Sequence, residues 1–368
     1  MKSFNLFPRL GAVIRPLAAS FAALLACSAC SSWIFDPEGD CEVNYRLKIR
    51  YDKNLKWADA FANEVKSLRL AAFQNGVLVR EIRLNDNRLA EPGFEIDLAD
   101  PNGLALTPGS YHLVAWCGTE NPDVASPSFV VPRVVEGSSP VESLTCRLER
   151  QADEIYPAYS RKRLEFMFHG ALDVVLPEDN NGGDYSYNMS LTKDTNHVRI
   201  ILQQLSGEDV DARDFNFRIE DANGHYAHDN TLIETDGNIA YLPYSKVSGV
   251  AGVGKEDLSR SRVIIQVSGA IADLSIGRMM ADHHKDMMLT ITNRYDEEVA
   301  RVPIIQYALL SKEYYEEAYG HRMDDQEFLD REDEYVLTFF LDQNRRWIKT
   351  SILIHSWRIV LGDYELGS

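Results

Sequence analysis

Apolar and polar residues alternate with period two along most of the chain. In the stretch NYRLKIRYD, Tyr45, Leu47, Ile49 and Tyr51 alternate with Arg46, Lys48, Arg50 and Asp52, the pattern of a strand that buries one face. The same pattern recurs at Leu164, Phe166 and Phe168, at Phe215, Phe217 and Ile219, at Tyr335, Leu337 and Phe339, and through WIKTSILIHSWRIVL. Asn75-Gly76 lies between LRLAAF and VLVREI, and Asn223-Gly224 follows FNFRIED. Both pairs suit the positive φ angles of a type I′ hairpin turn. Thr107-Pro108-Gly109 predicts a further turn ahead of SYHLVAW. Helical spacing is confined to two places: Trp57, Phe61 and Val65 fall four apart, and SKEYYEEAYG runs from an N-cap at Ser311 to Gly320. Segment 149–163, ERQADEIYPAYSRKR, carries neither period and predicts a linker. With about seven strands' worth of sequence on either side, the expectation is an all-β chain of two β-sandwich domains in series, joined by short helices. The boundaries expected are 27–150 and 161–368.

The amino terminus follows a different rule. Lys2, Arg9 and Arg15 precede an apolar run from Leu17 to Ala26 that is too short to span a bilayer, so residues 1–26 are expected to be a signal peptide. Leu24-Leu25-Ala26-Cys27 resembles a bacterial lipobox, in which the cysteine sulfur receives a diacylglycerol and the freed amine is acylated. Cys27 is therefore the expected lipid site, with Cys30 as the alternative. Each buried methylene contributes about 0.8 kcal/mol, so two or three acyl chains would hold the protein on a membrane.

Charge narrows the choice of partners. The formal net charge of −18 becomes more negative once the basic leader is removed, and such a surface repels nucleic acid and anionic headgroups. Lipidation at Cys27 leaves Cys30, Cys41, Cys117 and Cys146, an even number. Cys117 and Cys146 each share a strand face with apolar residues, so they form a candidate disulfide if their strands are neighbours and two buried thiols if they are not. No metal or cofactor site is expected. GVAGVGKE (249–256) matches the spacing of a phosphate-binding loop, but Glu256 stands where a magnesium-binding hydroxyl is needed, so a flexible loop is expected. EDNNGGD (178–184) lacks the closing glutamate of a calcium loop. His283 and His284, adjacent and unable to chelate together from a strand, are expected at the surface. Neither a nucleophile elbow nor a metalloprotease helix occurs, and no enzyme activity is expected.

The lipobox cysteine is followed by DPEGDCEVNYRLKIRYDKNLKWADAFANEVKSLRLAAF, YHLVAWCG, FMFHG, LTKDTNHVRIILQQL and EFLDREDEYVLTFFLDQNRRWIKTSILIHSWRIVL. In this order and spacing, over nearly the whole chain after the leader, they resemble the fimbrillin anchor-subunit lipoproteins of Bacteroidetes. The resemblance implies two tandem transthyretin-like Greek-key sandwiches. It also implies a surface-exposed, lipid-anchored place on the outer membrane, and fimbrillin structural or accessory subunits as partners through β-strand pairing. The implied role is to anchor the fimbrium, assist its assembly and control its length. A second reading is a surface lipoprotein that binds glycan or a host ligand through loop aromatics such as Trp116, Trp347 or Trp357.

Overall fold

The computed structural model describes residues 43–178, 182–204, 208–256, 262–355 and 357–360. The chain divides into two units, Met1–Val43 with Asp179–Gly183, and Asn44–Glu178 with Asp184–Ser368. The described residues lie almost entirely in the second unit, and they are mostly strand.

Among the described residues five sheets account for the strands. A five-stranded sheet runs β11 (Thr192–Lys193), β9 (Phe168–Leu176), β5 (Gly109–Cys117), β2 (Leu68–Gln74), β3 (Val77–Leu84). A three-stranded sheet joins β10 (Gly183–Ser190), β1 (Val43–Arg50) and β4 (Glu95–Asp97), and another joins β14 (His225–Tyr226), β7 (Cys146–Leu148) and β6 (Phe129–Val130). Toward the carboxyl end, a six-stranded sheet runs β16 (Ser245–Glu256), β17 (Arg262–Gly277), β12 (Thr195–Gln204), β20 (Glu334–Leu341), β21 (Trp347–Ile354), β22 (Trp357–Val360). The fifth sheet runs β19 (Glu298–Pro303), β18 (Met288–Asn293), β13 (Phe215–Asp221), β15 (Ile239–Tyr241), β8 (Tyr159–Ser160). Most ladders are antiparallel. At the centre of the six-stranded sheet, however, β12 pairs in parallel with β20, from His197 opposite Glu334 to Gln204 opposite Leu341.

Period two translates directly into burial. Tyr45, Leu47 and Ile49 on β1, Phe215, Phe217 and Ile219 on β13, and Tyr335, Leu337 and Phe339 on β20 are all buried. Val198, Ile200 and Leu202 of β12 share one core with Phe217, Ile219, Leu289 and Ile291 of the fifth sheet, and that core extends to Ala71, Phe73 and Trp116. The other face of β2, Leu68, Leu70 and Ala72, is equally buried.

The turns are a mixed result. Asn75 (φ 52°) and Gly76 (φ 78°) form the expected positive-φ pair between β2 and β3. Asn223-Gly224 does not form a hairpin. Asn223 is buried, donates from Nδ2 to Arg278 O (2.9 Å) and accepts from the Tyr241 hydroxyl (2.7 Å), so its amide serves the core. The 149–163 segment is drawn into the sheets rather than left free: Gln151 bridges Tyr159, and β8 pairs in parallel with β15. Strands β9 and β10, which follow that segment, pair with β5 and β1 from before it, and β11 adds to the outer side of β9.

The helices are α1 (Phe61–Glu64), α2 (Ile304–Leu309), α3 (Lys312–Tyr319) and α4 (Asp325–Arg331). Helix α3 ends where predicted, on Gly320 in the left-handed region (φ 73°). Ser311 does not cap it, because its Oγ donates back to Ala308 O (2.7 Å).

Candidate interaction site: a buried charged seam and open sheet edges

The junction Thr192–Thr195, where β11 ends and β12 begins, carries two adjacent charges into the interior. Lys193 is 4% exposed and Asp194 0%. Buried charges survive only when paired and hydrogen-bonded, and both are. Lys193 Nζ lies 2.9 Å from Glu64 Oε2, pairs with Asp333, and sits 3.4 Å from the centroid of the Phe166 ring. Asp194 accepts from Asn230 Nδ2 (2.8 Å), and Arg278 Nε approaches it to 3.7 Å. Arg278 clamps Asp330 of α4 through Nε and Nη2, each at 2.8 Å, and donates from Nη1 to Asn230 O (3.1 Å).

Burial pushes the Asp194 carboxyl up to about 7, with Arg278 and the Asn230 amide pulling it back. Burial likewise pushes Glu332, just past α4, up to about 7. Helix α4 also reaches the amino-terminal part of the chain. The Arg331 guanidinium lies 3.8 Å from the centroid of the Trp57 ring, Arg331 Nη1 donates to Asp52 O (3.1 Å), and the Leu55 N–H donates to Arg331 O (3.2 Å). One seven-residue helix is thus tied to the first strand's exit, to the β11–β12 junction and to the end of β17. Nothing in the hydrophobic pattern marks Lys193, Asp194 or Arg278 as a cluster. The only visible signal is an adjacent Lys-Asp pair where one strand ends and the next begins.

Cys27 and Cys30, expected as lipid sites, lie outside the described residues, as do residues 179–181 of the 178–184 stretch, whose last two residues open β10. Cys117 and Cys146 are both fully buried and both free thiols. Their strands are not neighbours: β5 pairs with β2 and β9, whereas β7 pairs with β6 and β14. The Cys146 thiol instead donates to Met167 Sδ (3.1 Å). The 249–256 stretch is strand, paired residue for residue with β17, not a loop. His283 is buried rather than exposed, on a 3-10 turn that sets its Nδ1 3.1 Å from Asp221 Oδ1. Trp116 is fully buried, with its indole N–H directed at Leu144 O (3.4 Å). Trp347 packs on Phe339 and Tyr307, and Trp357 opens β22. Among the described residues no group of His, Cys, Asp and Glu could hold a metal ion, and no helix is long and apolar enough to cross a membrane.

The sheets end on edge strands, among them β16, β19 and β3, the last partly covered beside the Asn75-Gly76 turn. The ladder between β16 and β17 runs twelve residue pairs without a bulge. Regular edges of this kind expose backbone donors and acceptors that a further strand can use.

Residues 37–363 match the profile of the family described as fimbrillin-A associated anchor proteins Mfa1 and Mfa2. No curated protein sequence matches the chain. Among solved structures, a protein of Bacteroides thetaiotaomicron described as a candidate adhesin is 30% identical, with a TM-score of 0.72 over 88% of this chain and 100% of that one. A second protein of that species, described as a candidate polysaccharide-binding protein, is 25% identical, with a TM-score of 0.68 over 88% and 99%. The fimbrial anchor protein Mfa2 of Porphyromonas gingivalis shares the fold at 15% identity, with a TM-score of 0.59 over 87% and 99%. The chain belongs to the fimbrillin-A associated anchor protein family.

Proposed function

We propose that this chain is an outer-membrane lipoprotein, acylated at Cys27 and exposed on the cell surface, that seats a fimbrium by pairing a sheet edge with a strand of a fimbrillin subunit. The observation that carries this reading is the family match across residues 37–363. Its open sheet edges suit the pairing, and its acidic surface leaves acyl chains as the means of membrane attachment. The role is assembly and length control of the filament, without catalysis. We retain the reading of two tandem transthyretin-like sandwiches, and extend the first to Lys193 because β9–β11 pair with its strands.

Replacing Cys27 by Ala should release the protein in soluble form, and mass spectrometry of the mature amino terminus should find acyl groups on Cys27. Release caused only by Cys30→Ala would move the processing site by three residues. Attachment and filament length unchanged after deletion of the gene would refute the anchoring role. The adhesin and polysaccharide-binding descriptions of the two 25–30% identical structures favour a second reading, capture of a glycan. Trp116 and Trp347 are spent in the core, so a glycan site would have to use other residues, and binding of the isolated protein to a glycan array tests it.

A further inference from the structure

The outer margin of β3 is sealed along only part of its length. Beside the Asn75-Gly76 turn, the Leu78 N–H donates to Ser139 O (2.9 Å) and Leu78 O accepts from the Gly137 N–H (2.8 Å). Farther along, residues 131–136 leave the strand and open a groove of about 630 Å³ beside Glu81 and Arg83. The Glu81 N–H points into this space, where it meets Glu136 Oε1 at 3.3 Å. Antiparallel strands alternate the direction of their backbone groups, so Arg83, two residues on, also turns its N–H and C=O outward. The opposite strand agrees. Arg69 and Ala71 stand across from Arg83 and Glu81, and residue 67, in phase with them, directs its carbonyl away from β3 to accept from the Gly118 N–H (3.0 Å).

A buried arginine sets the width of the groove. Arg69 is 2% exposed. It pairs with Glu81 on one wall and donates to Val131 O (3.0 Å) and Pro132 O (2.7 Å) on the other. Charge then separates the lining residues. Glu81 is engaged by Arg69 and Arg83, and Glu136 by Arg80. Arg133 lines the groove and has no ion pair among the described residues, while Val135 is 55% exposed.

We propose that this groove receives an extended segment of a fimbrillin subunit, which adds a strand to β3 through the backbone groups of Glu81 and Arg83. That segment rests an apolar side chain on Val135 and brings a carboxylate to Arg133. The assignment rests on the strand-pairing reading above and specifies which edge serves it.

The test places a photo-crosslinking amino acid at Val135 of the full chain in cells that carry filaments. The same probe goes at Val247 on β16 and at Glu298 on β19, two other edges. A fimbrillin adduct should form from Val135. Arg83→Pro deletes an outward N–H without touching the β2 ladder, and should lower the adduct yield about tenfold, whereas Arg83→Ala should leave it. Arg133→Glu should cost about as much and Arg133→Lys little; this pair decides if the proline variant does not fold. Adducts only from Val247 or Glu298 would overturn the groove and leave strand pairing standing. An adduct with a second copy of this chain would overturn the occupant. Attached filaments with no adduct from any of the three positions would overturn the groove and leave strand pairing to the remaining sheet edges.

Discussion

At the scale of single residues, the seam holds its carboxyls in opposition to solvent. Asp194 titrates near 7 in the folded protein because of burial, against about 4 in an unfolded chain. The native state therefore binds more protons than the unfolded one between those values, and this contribution to stability falls as pH rises through that window. Glu332 acts in the same sense. His169 acts oppositely: burial drops it to about 4, so its contribution is lost as pH falls from about 6.5. Above pH 6.5 His169 no longer contributes, and the decline there belongs to groups whose protonated form the fold favours, Asp194, Glu332 and His283. We expect Asp194→Asn to flatten the decline in denaturant midpoint between pH 6.5 and 7.5 and to gain about 1 kcal/mol at pH 8; an unchanged slope would refute it. The thiols make a second residue-scale prediction. Cys117 and Cys146 should resist alkylation in the native protein, react once it is unfolded without reductant, and appear in unlinked peptides by mass spectrometry. A linked peptide would show that the two strands approach each other more closely than their sheets imply.

At the scale of elements, two glycines with similar backbone angles divide structural demand from tolerance. Gly118 (φ 85°) follows β5, and a Cβ there would stand 1.8 Å from Phe166 O, a backbone atom that cannot give way. Gly76 (φ 78°) has nothing within 4 Å of that position. Gly76→Ala should cost about 1 kcal/mol for its conformation alone, and Gly118→Ala at least about 3 kcal/mol with a matching loss of melting temperature. Equal costs would refute the distinction. The same contrast shows what sequence makes legible. The Asn75-Gly76 turn, the buried faces of β1, β13 and β20 and the Gly320 stop are local, each set by a few neighbouring residues. Asn223-Gly224 carried the same local signal and was overridden by a tertiary need, two hydrogen bonds in the core. His283 was misplaced for the same reason, since its partner Asp221 is distant in sequence.

At the scale of the whole molecule, the all-β class and the family were legible in alternation and in ordered phrases. The seam was not, because Glu64, Lys193, Asp194, Arg278 and Asp330 meet only after four separate segments converge. The β3 groove was equally invisible. Its width depends on one arginine that sits in a mostly apolar strand and reaches carbonyls some sixty residues onward. The parallel partnership of β12 with β20 has a consequence for biogenesis. A chain made amino end first delivers β12 early, yet the strand that completes its far side arrives only after residues 205–333 have emerged. Closing so long a loop is slow. Through that interval the backbone groups along one side of β12 lack their ladder partner, which makes this strand the place where premature pairing would have to be held off.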